Sequence, residues 1–158
     1  YATSYIPTLG AAVTRGADDT TGPNAGTLGI TSAYSIFYEL GDFNVSAAST
    51  WLAQSGAAGR PFESFGTTMI LKAASGDVYP YNHGASGSQF KGAITFDGAN
   101  ITAFANGVKY GPYPANLAQW TGYTNLDLNL NVTQTVNWKQ VLLFPIALSD
   151  ADAIALTA

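Results

Sequence analysis

An antiparallel β-sandwich closed by a short C-terminal helix is the fold this sequence predicts, and three observations predict it. Short apolar stretches alternate with polar residues at a period of two through most of the chain. Turn-forming residues interrupt them at close intervals, with Asp97-Gly98 and Asn106-Gly107 in quick succession. Residues 148–158 then change period behind Ser149, a good N-cap, with Asp150 and Asp152 placed where the helix dipole favours carboxylates.

The clearest stretch is residues 90–111, FKGAITFDGANITAFANGVKYG, which reads as two consecutive hairpins. Phe90, Gly92, Ile94 and Phe96 fall on one face, and Lys91, Ala93, Thr95 and Asp97 on the other. Ile101, Ala103 and Ala105 alternate with Thr102 and Phe104. Asn106-Gly107 suits a type I′ turn, whose two central residues need positive φ.

In chain order, Pro7 keeps the opening octet extended. Residues 11–15 read as a first strand, and the Asp-, Thr-, Gly- and Pro-rich residues 18–29 as a loop. Strands follow at 34–40 (YSIFYEL), 49–54 (STWLAQ), 67–73 (TTMILKA) and 78–81 (VYPY). Residues 82–88 are expected to form a loop carrying the single histidine, and 111–122 a long loop dense in Pro and aromatic residues. LDLNLNV at 126–132 alternates as a half-buried strand does, and residues 137–144 form the last strand, stopped at Pro145. Residues 1–10 are expected to end a preceding module or linker, and 11–158 to form the sandwich domain. With Tyr1 first, the chain is expected to be processed or excerpted from something longer.

A length of 158 residues supports one domain with a real core. Charged residues are only 10% of the chain, against roughly 25% in ordinary soluble domains. Ser, Thr, Asn and Gly must therefore solvate it. Net charge is −4, and the six basic residues are scattered singly, which argues against a nucleic-acid partner. With no cysteine, disulfides and thiolate chemistry are excluded. No apolar run reaches the roughly 18 residues of a membrane-spanning helix.

Three separated segments, in order, carry a resemblance. YATSYIPTLGAAVTRGADD at the start resembles a segment of phage and prophage virion proteins that closes one module and leads into a concanavalin A-like lectin/glucanase domain of the laminin G type. VLLFPIALSDADAIALTA at the end is similar to that domain's closing strand and helix, and ITAFANGV at 101–108 to a central strand and turn. Phe144-Pro145-Ile146 lacks the family's usual arginine, and the loop at 111–122 is unusually aromatic. The resemblance implies a concanavalin A-like jelly roll serving as a non-catalytic module on the virion surface, in a tail fibre, spike or capsid fibre. By analogy it implies a homo-oligomer, a trimer. A module that decorates or assembles the virion by binding other virion proteins is the alternative, and a polysaccharide-degrading enzyme comes third.

The residues themselves speak against catalysis. Glycoside hydrolysis needs two carboxylates across one cleft. The only glutamates are Glu39 and Glu63, and the Glu-x-Asp-x-Glu strand of concanavalin-like glucanases is absent. His83 has no nucleophile elbow near it and reads as a solvated loop histidine. No cofactor is expected. Calcium would have Asp18-Asp19 as its nearest approach to a ligand set, without an Asp-x-Asp-x-Asp pattern.

Carbohydrate binding fits better. Aromatic rings stack on the C–H faces of sugars while amides bond the hydroxyls. Tyr110, Tyr113, Asn116, Gln119, Trp120 and Tyr123 crowd such groups into one stretch, and Tyr81, Asn82 and His83 form a smaller set. The same rings would serve equally to plug the sandwich ends or to contact a neighbouring subunit.

Overall fold

The computed structural model of the chain describes residues 3–5, 13–14, 21–24, 32–44, 50–56, 61–83, 86–87, 89–121, 123–128 and 135–158, with side chains described within 32–41, 61–83, 89–121 and 139–158. In chain order the strands are β1 (Thr3–Tyr5), β2 (Val13–Thr14), β3 (Thr21–Asn24), β4 (Tyr34–Asn44), β5 (Thr50–Gly56), β6 (Phe62–Phe65) and β7 (Thr68–Ala73). Then come β8 (Gly76–Val78), β9 (Ser86–Gly87), β10 (Phe90–Phe96), β11 (Asn100–Ala105) and β12 (Val108–Pro114). A short helix α1 (Leu117–Trp120) precedes β13 (Tyr123–Leu128), β14 (Thr135–Phe144) and the terminal helix α2 (Asp150–Thr157).

Two sheets result. The first runs β1-β14-β4-β10-β11-β12, with β2 also on β14 and β9 on β4; the second runs β3-β13-β5-β6-β7-β8. Every pairing is antiparallel. The molecule is an antiparallel β-sandwich with a short C-terminal helix, as its periodicity predicts.

The core follows from that alternation. Phe90, Ile94 and Phe96 of β10 lie beside Leu40, Ile36 and Tyr34 of β4, and all six are buried in the central cluster. The second sheet contributes Phe62, Met69, Leu71 and Ala73 to the same cluster. Burying each large side chain contributes about 1.5–3 kcal/mol. The Asn106-Gly107 turn has φ of 46° and 79°, the two positive values that a type I′ turn requires. At the other turn Asp97 Oδ1 accepts from the backbone N–H groups of Ala99 and Asn100, at 2.8 and 2.6 Å. These bonds hold the Asp97 carboxyl below its usual range, although desolvation pulls the other way.

Helix α2 covers part of the outer face of the first sheet. Ala153 packs with Phe37, Ala93 and Phe104, so both faces of β10 and β11 are buried there. Ser149 Oγ caps the helix by accepting from Asp152 N at 3.2 Å. Lys109 pairs with Asp150, and the Gly107 N–H donates to Thr157 Oγ1 at 3.2 Å. The hairpin and the helix therefore brace one another.

Five expectations change. The strand expected at 78–81 comes earlier, as β8 at Gly76–Val78, and residues 79–81 lie outside it. The predicted loop at 18–29 contains β3, at the end of the second sheet beside β13, a place where a proline such as Pro23 is tolerated. The loop predicted at 82–88 contains β9, paired with Phe43 and Asn44. The loop predicted at 111–122 is mostly ordered backbone: β12 runs on to Pro114 and α1 follows. Its prolines are tolerated because β12 pairs on one side only. Strand β6 carries only four residues of alternation, too few to stand out in the sequence. Residues 129–132 of the predicted strand at 126–132 lie outside the described residues, as does the Asp18-Asp19 pair. Residues 3–5 pair with Val141, Leu142 and Leu143, placing that part of the opening octet on the first sheet.

One connection ties the sheets together. Beyond β12, Ala115 bridges to Ala73, Ala74 N donates to Pro114 O at 2.8 Å, and Asn116 N donates to Lys72 O at 3.3 Å. At the opposite end of β7, the chain following β8 returns beside it, with Met69 N on Tyr81 O and His83 N on Thr67 O. Strand β12 and residues 76–82 thus flank the same open side of the sandwich.

Gly92 sits against the Tyr38 ring. A Cβ built there would lie 2.4 Å from Tyr38 Cζ and 2.5 Å from its hydroxyl. Neither the buried ring nor the paired strand can yield. Gly92→Ala is therefore expected to destabilise the fold by about 1–3 kcal/mol or more, read as a fall in the thermal or urea midpoint.

Candidate functional site

The open side between β12 and residues 76–82 is lined with tyrosines. Tyr110 and Tyr113 are half-buried, packed with Val78 against the core. The Tyr110 ring lies 5.4 Å from that of Tyr81. Gly111, with φ of 101°, lets the chain turn between the two β12 tyrosines. A Cβ at this position would lie 3.0 Å from the Tyr113 ring. Asn82 is exposed at one end of this seam. Asn116, exposed, and Gln119, half-exposed, stand at the other end, where α1 docks on β7.

Three of the expected binding residues face inward instead. Trp120 is 1% exposed. Its indole lies among Tyr34, Phe62 and Phe96, and its Nε1 donates to Lys72 O at 2.8 Å. A four-residue helix cannot bury an apolar face against itself, so Trp120 anchors α1 by entering the core. Tyr81 and His83 are 7% and 9% exposed. The expectation of ligand stacking on Trp120, Tyr81 and His83 is corrected accordingly, as is that of a solvated His83. The Tyr123 side chain lies outside the described residues. Tyr110, Tyr113, Asn82, Asn116 and Gln119 remain in reach of solvent.

The inward-facing groups form one hydrogen-bonded chain. His83 Nδ1 lies 3.2 Å from Thr67 O, a carbonyl that can only accept, so Nδ1 carries the proton. Nε2 then accepts from Tyr38 OH at 3.1 Å, and Tyr38 OH accepts in turn from Tyr81 OH at 2.6 Å. Burial raises both phenol pKa values, and the neighbouring Tyr81 raises that of Tyr38 further. Burial lowers His83 to about 3, against the backbone bond to Thr67. Neutral rings in a dry interior suit structure rather than acid–base chemistry at neutral pH.

Sequence reading missed Tyr79, which is 63% exposed beside the seam. Its neighbours Val78 and Pro80 are half-buried and buried, which fits alternation at Tyr79, but the same alternation would turn the buried Tyr81 outward, so the period alone does not separate the two tyrosines. No group of three or more His, Cys, Asp or Glu that could hold a metal occurs among the described residues. Among them, too, no helix is long and apolar enough to cross a membrane.

No protein-family model matches the sequence, and no curated protein is significantly similar to it. Solved structures do share its fold. The CBM40 of a Ruminococcus gnavus IT-sialidase, bound to α2,3-sialyllactose, superposes with a TM-score of 0.66 over 99% of this chain and 98% of its own, at 15% identity. Domain 4 of AbnA, a GH43 extracellular arabinanase from Geobacillus stearothermophilus in complex with arabinotriose, gives 0.65 at 14% identity, over 100% of this chain and 82% of its own. A botulinum neurotoxin type C structure, described by its dependence on two ganglioside molecules for cell entry, gives 0.60 at 8% identity. The match covers 99% of this chain and 45% of the toxin's. At such identities the likeness shows a shared β-sandwich fold.

The buried histidine makes stability pH-dependent. Unfolded, His83 takes up a proton below about 6.5; folded, it does so only near 3. Folding stability is then full above that upper value and falls as the pH drops toward the lower one, by about 1.4 kcal/mol per pH unit. Urea titrations between pH 7 and pH 4 are expected to show this loss, and His83→Gln to flatten it.

Proposed function

We propose that this chain is a non-catalytic glycan-binding module whose ligand lies along the Tyr110–Tyr113 seam. The observation that carries the reading is two half-exposed tyrosine rings, held on a core of further rings, with amides at both ends. Rings supply the stacking face, and Asn82, Asn116 and Gln119 supply hydrogen bonds to hydroxyls. The shared fold of modules solved with sialyllactose and arabinotriose supports the reading.

The charges favour a neutral sugar. A carboxylate-bearing sugar is held best by a charge-assisted bond to Arg or Lys. Each lysine among the described residues is already engaged: Lys72 with Asp77, Lys91 with Ala158 O, Lys109 with Asp150 and Lys139 with Glu39. The setting we propose is the surface of a phage or prophage virion, in a fibre or spike whose chains associate, as trimers by analogy. The opening and closing segments of the sequence support this. The exposed Val108 and Leu117, on and just beyond β12, favour a second reading, a contact with other virion subunits.

Isothermal titration with arabinotriose, neutral galacto- and gluco-oligosaccharides and α2,3-sialyllactose tests the proposal. Tyr110→Ala and Asn82→Ala are each expected to weaken neutral-sugar binding about tenfold, a change of about 1.4 kcal/mol. Unchanged affinity in both folded variants overturns the seam as the site. Binding restricted to other virion proteins supports the second reading.

A further inference from the structure

Two aromatic rings stand exposed on a surface that adjoins the seam at Asn82. Phe65 is 42% exposed and Tyr79 is 63% exposed; no other aromatic side chain among the described residues stands out so far. Both lie on the outer face of the second sheet. In β6 and β7 the inward residues are Phe62, Ser64, Met69, Leu71 and Ala73, which leaves Glu63, Phe65, Thr68, Ile70 and Lys72 outward. The pairings agree, because Phe65 is opposite Thr68 and Glu63 is opposite Ile70. The salt bridge from Lys72 to Asp77 at 2.8 Å places Asp77 of β8 on the same face. Tyr79 follows directly after Val78, the last β8 residue paired with β7, and is exposed there. Asn82, bridged to Thr68, lies on this face too.

Across this face, then, runs a row of Phe65, Thr68 and Asn82, with the Glu63–Ile70 pair beside it and Tyr79 just past the end of β8. Strands about 4.8 Å apart put Phe65 of β6 and a residue leaving β8, on either side of β7, about 10 Å apart. Several linked sugar units span that reach, and a single ring does not. The surface is a sheet face rather than a pocket. Beside its rings stand the Thr68 hydroxyl, the Asn82 amide and the half-buried Ile70. A ligand that alternates C–H faces with hydroxyls along an extended chain matches that pattern. Lys72 and Asp77 neutralise one another, so the face offers no unpaired cation to an acidic polymer. Through Asn82 the face is continuous with the seam.

We propose that this outer face is a further contact surface for an extended, neutral polysaccharide, with Phe65 and Tyr79 as its stacking rings. The inference rests on the glycan-binding reading and adds a second, separately testable surface to it. Phe65 closes a tight hairpin in which Gly66 takes the positive φ, so a polar residue would fold as well there.

The test is native affinity electrophoresis in gels containing soluble arabinan, arabinoxylan, glucomannan or galactan, with calorimetry on short neutral oligosaccharides run beside it. The double variant Phe65→Ser/Tyr79→Ser changes two exposed side chains and is expected to fold. Its retardation by at least one polysaccharide is expected to weaken tenfold or more, with short-oligosaccharide affinity unchanged. Retardation equal to that of the unmodified chain overturns the outer face and leaves the seam standing. No retardation of the unmodified chain by any of the four also overturns it, while the oligosaccharide titration decides the seam independently. A change in self-association without a polysaccharide effect overturns it in favour of a protein contact.

Discussion

The contact on which the rest depends is that of Tyr38 with the groups around it. This ring grows from the first sheet, yet its hydroxyl bonds Tyr81 and His83, which hang from the second sheet through Met69 and Thr67. A phenol can reach that far only because Gly92 clears the space beside it. Each donor and acceptor in the chain from Tyr81 through Tyr38 and His83 to Thr67 has its complement, and in a low-dielectric interior such a network is strong when complete and costly when broken. The spacing of the sheets at this end is therefore specified by directional bonds. Packing alone would specify it far less sharply.

From that contact the site follows outward. Tyr81, fixed by Tyr38, supports the ring of Tyr110. At the far end Trp120 does the same for α1, and Lys72 O receives both its indole N–H and the Asn116 N–H. The aromatic residues thus divide by depth. The innermost ring of each group fastens the backbone, and the next one out meets solvent. Helix α2 does comparable work on the other flank, where it braces the Asn106-Gly107 hairpin from which β12 departs.

Much of the fold was legible in the sequence because period-two alternation reports a half-buried strand directly. Residues 90–111 gave both turns and both faces. The burial of Ala93 and Phe104 was not legible, since it depends on a helix arriving from residues 150–157. Edge strands were the weakest point. Pro23, Pro112 and Pro114 look like loop residues, and only their place on strands at the sheet edges, β3 and β12, reconciles them with strands. The candidate site was legible as composition and not as depth. A run holding Tyr110, Tyr113, Asn116, Gln119 and Trp120 says that rings and amides are near one another. Which ring enters the core depends on where α1 lands on β7, a long-range contact with no local signature. His83 misled for the same reason, because a glycine- and serine-rich neighbourhood hides the hydrogen bonds that draw its ring inward.

Depth also decides what the seam can do. A ring already packed on buried rings loses little freedom when a ligand covers its remaining face, so stacking there is not consumed by ordering. Tyr110 meets that condition through Tyr81, and Tyr113 through its packing on the core and the close Gly111 backbone. Free-standing loop tyrosines would not. The scarcity of charge works in the same direction. Among the described residues, the lysines are tied to Asp77, Asp150, Glu39 and the Ala158 carbonyl, which leaves no unpaired lysine there to steer an anion. On the proposed glycan-binding reading, what discriminates among ligands is then the spacing of ring faces and amides. The core network sets that spacing, so on this reading selectivity and stability of the fold rest on the same buried contacts.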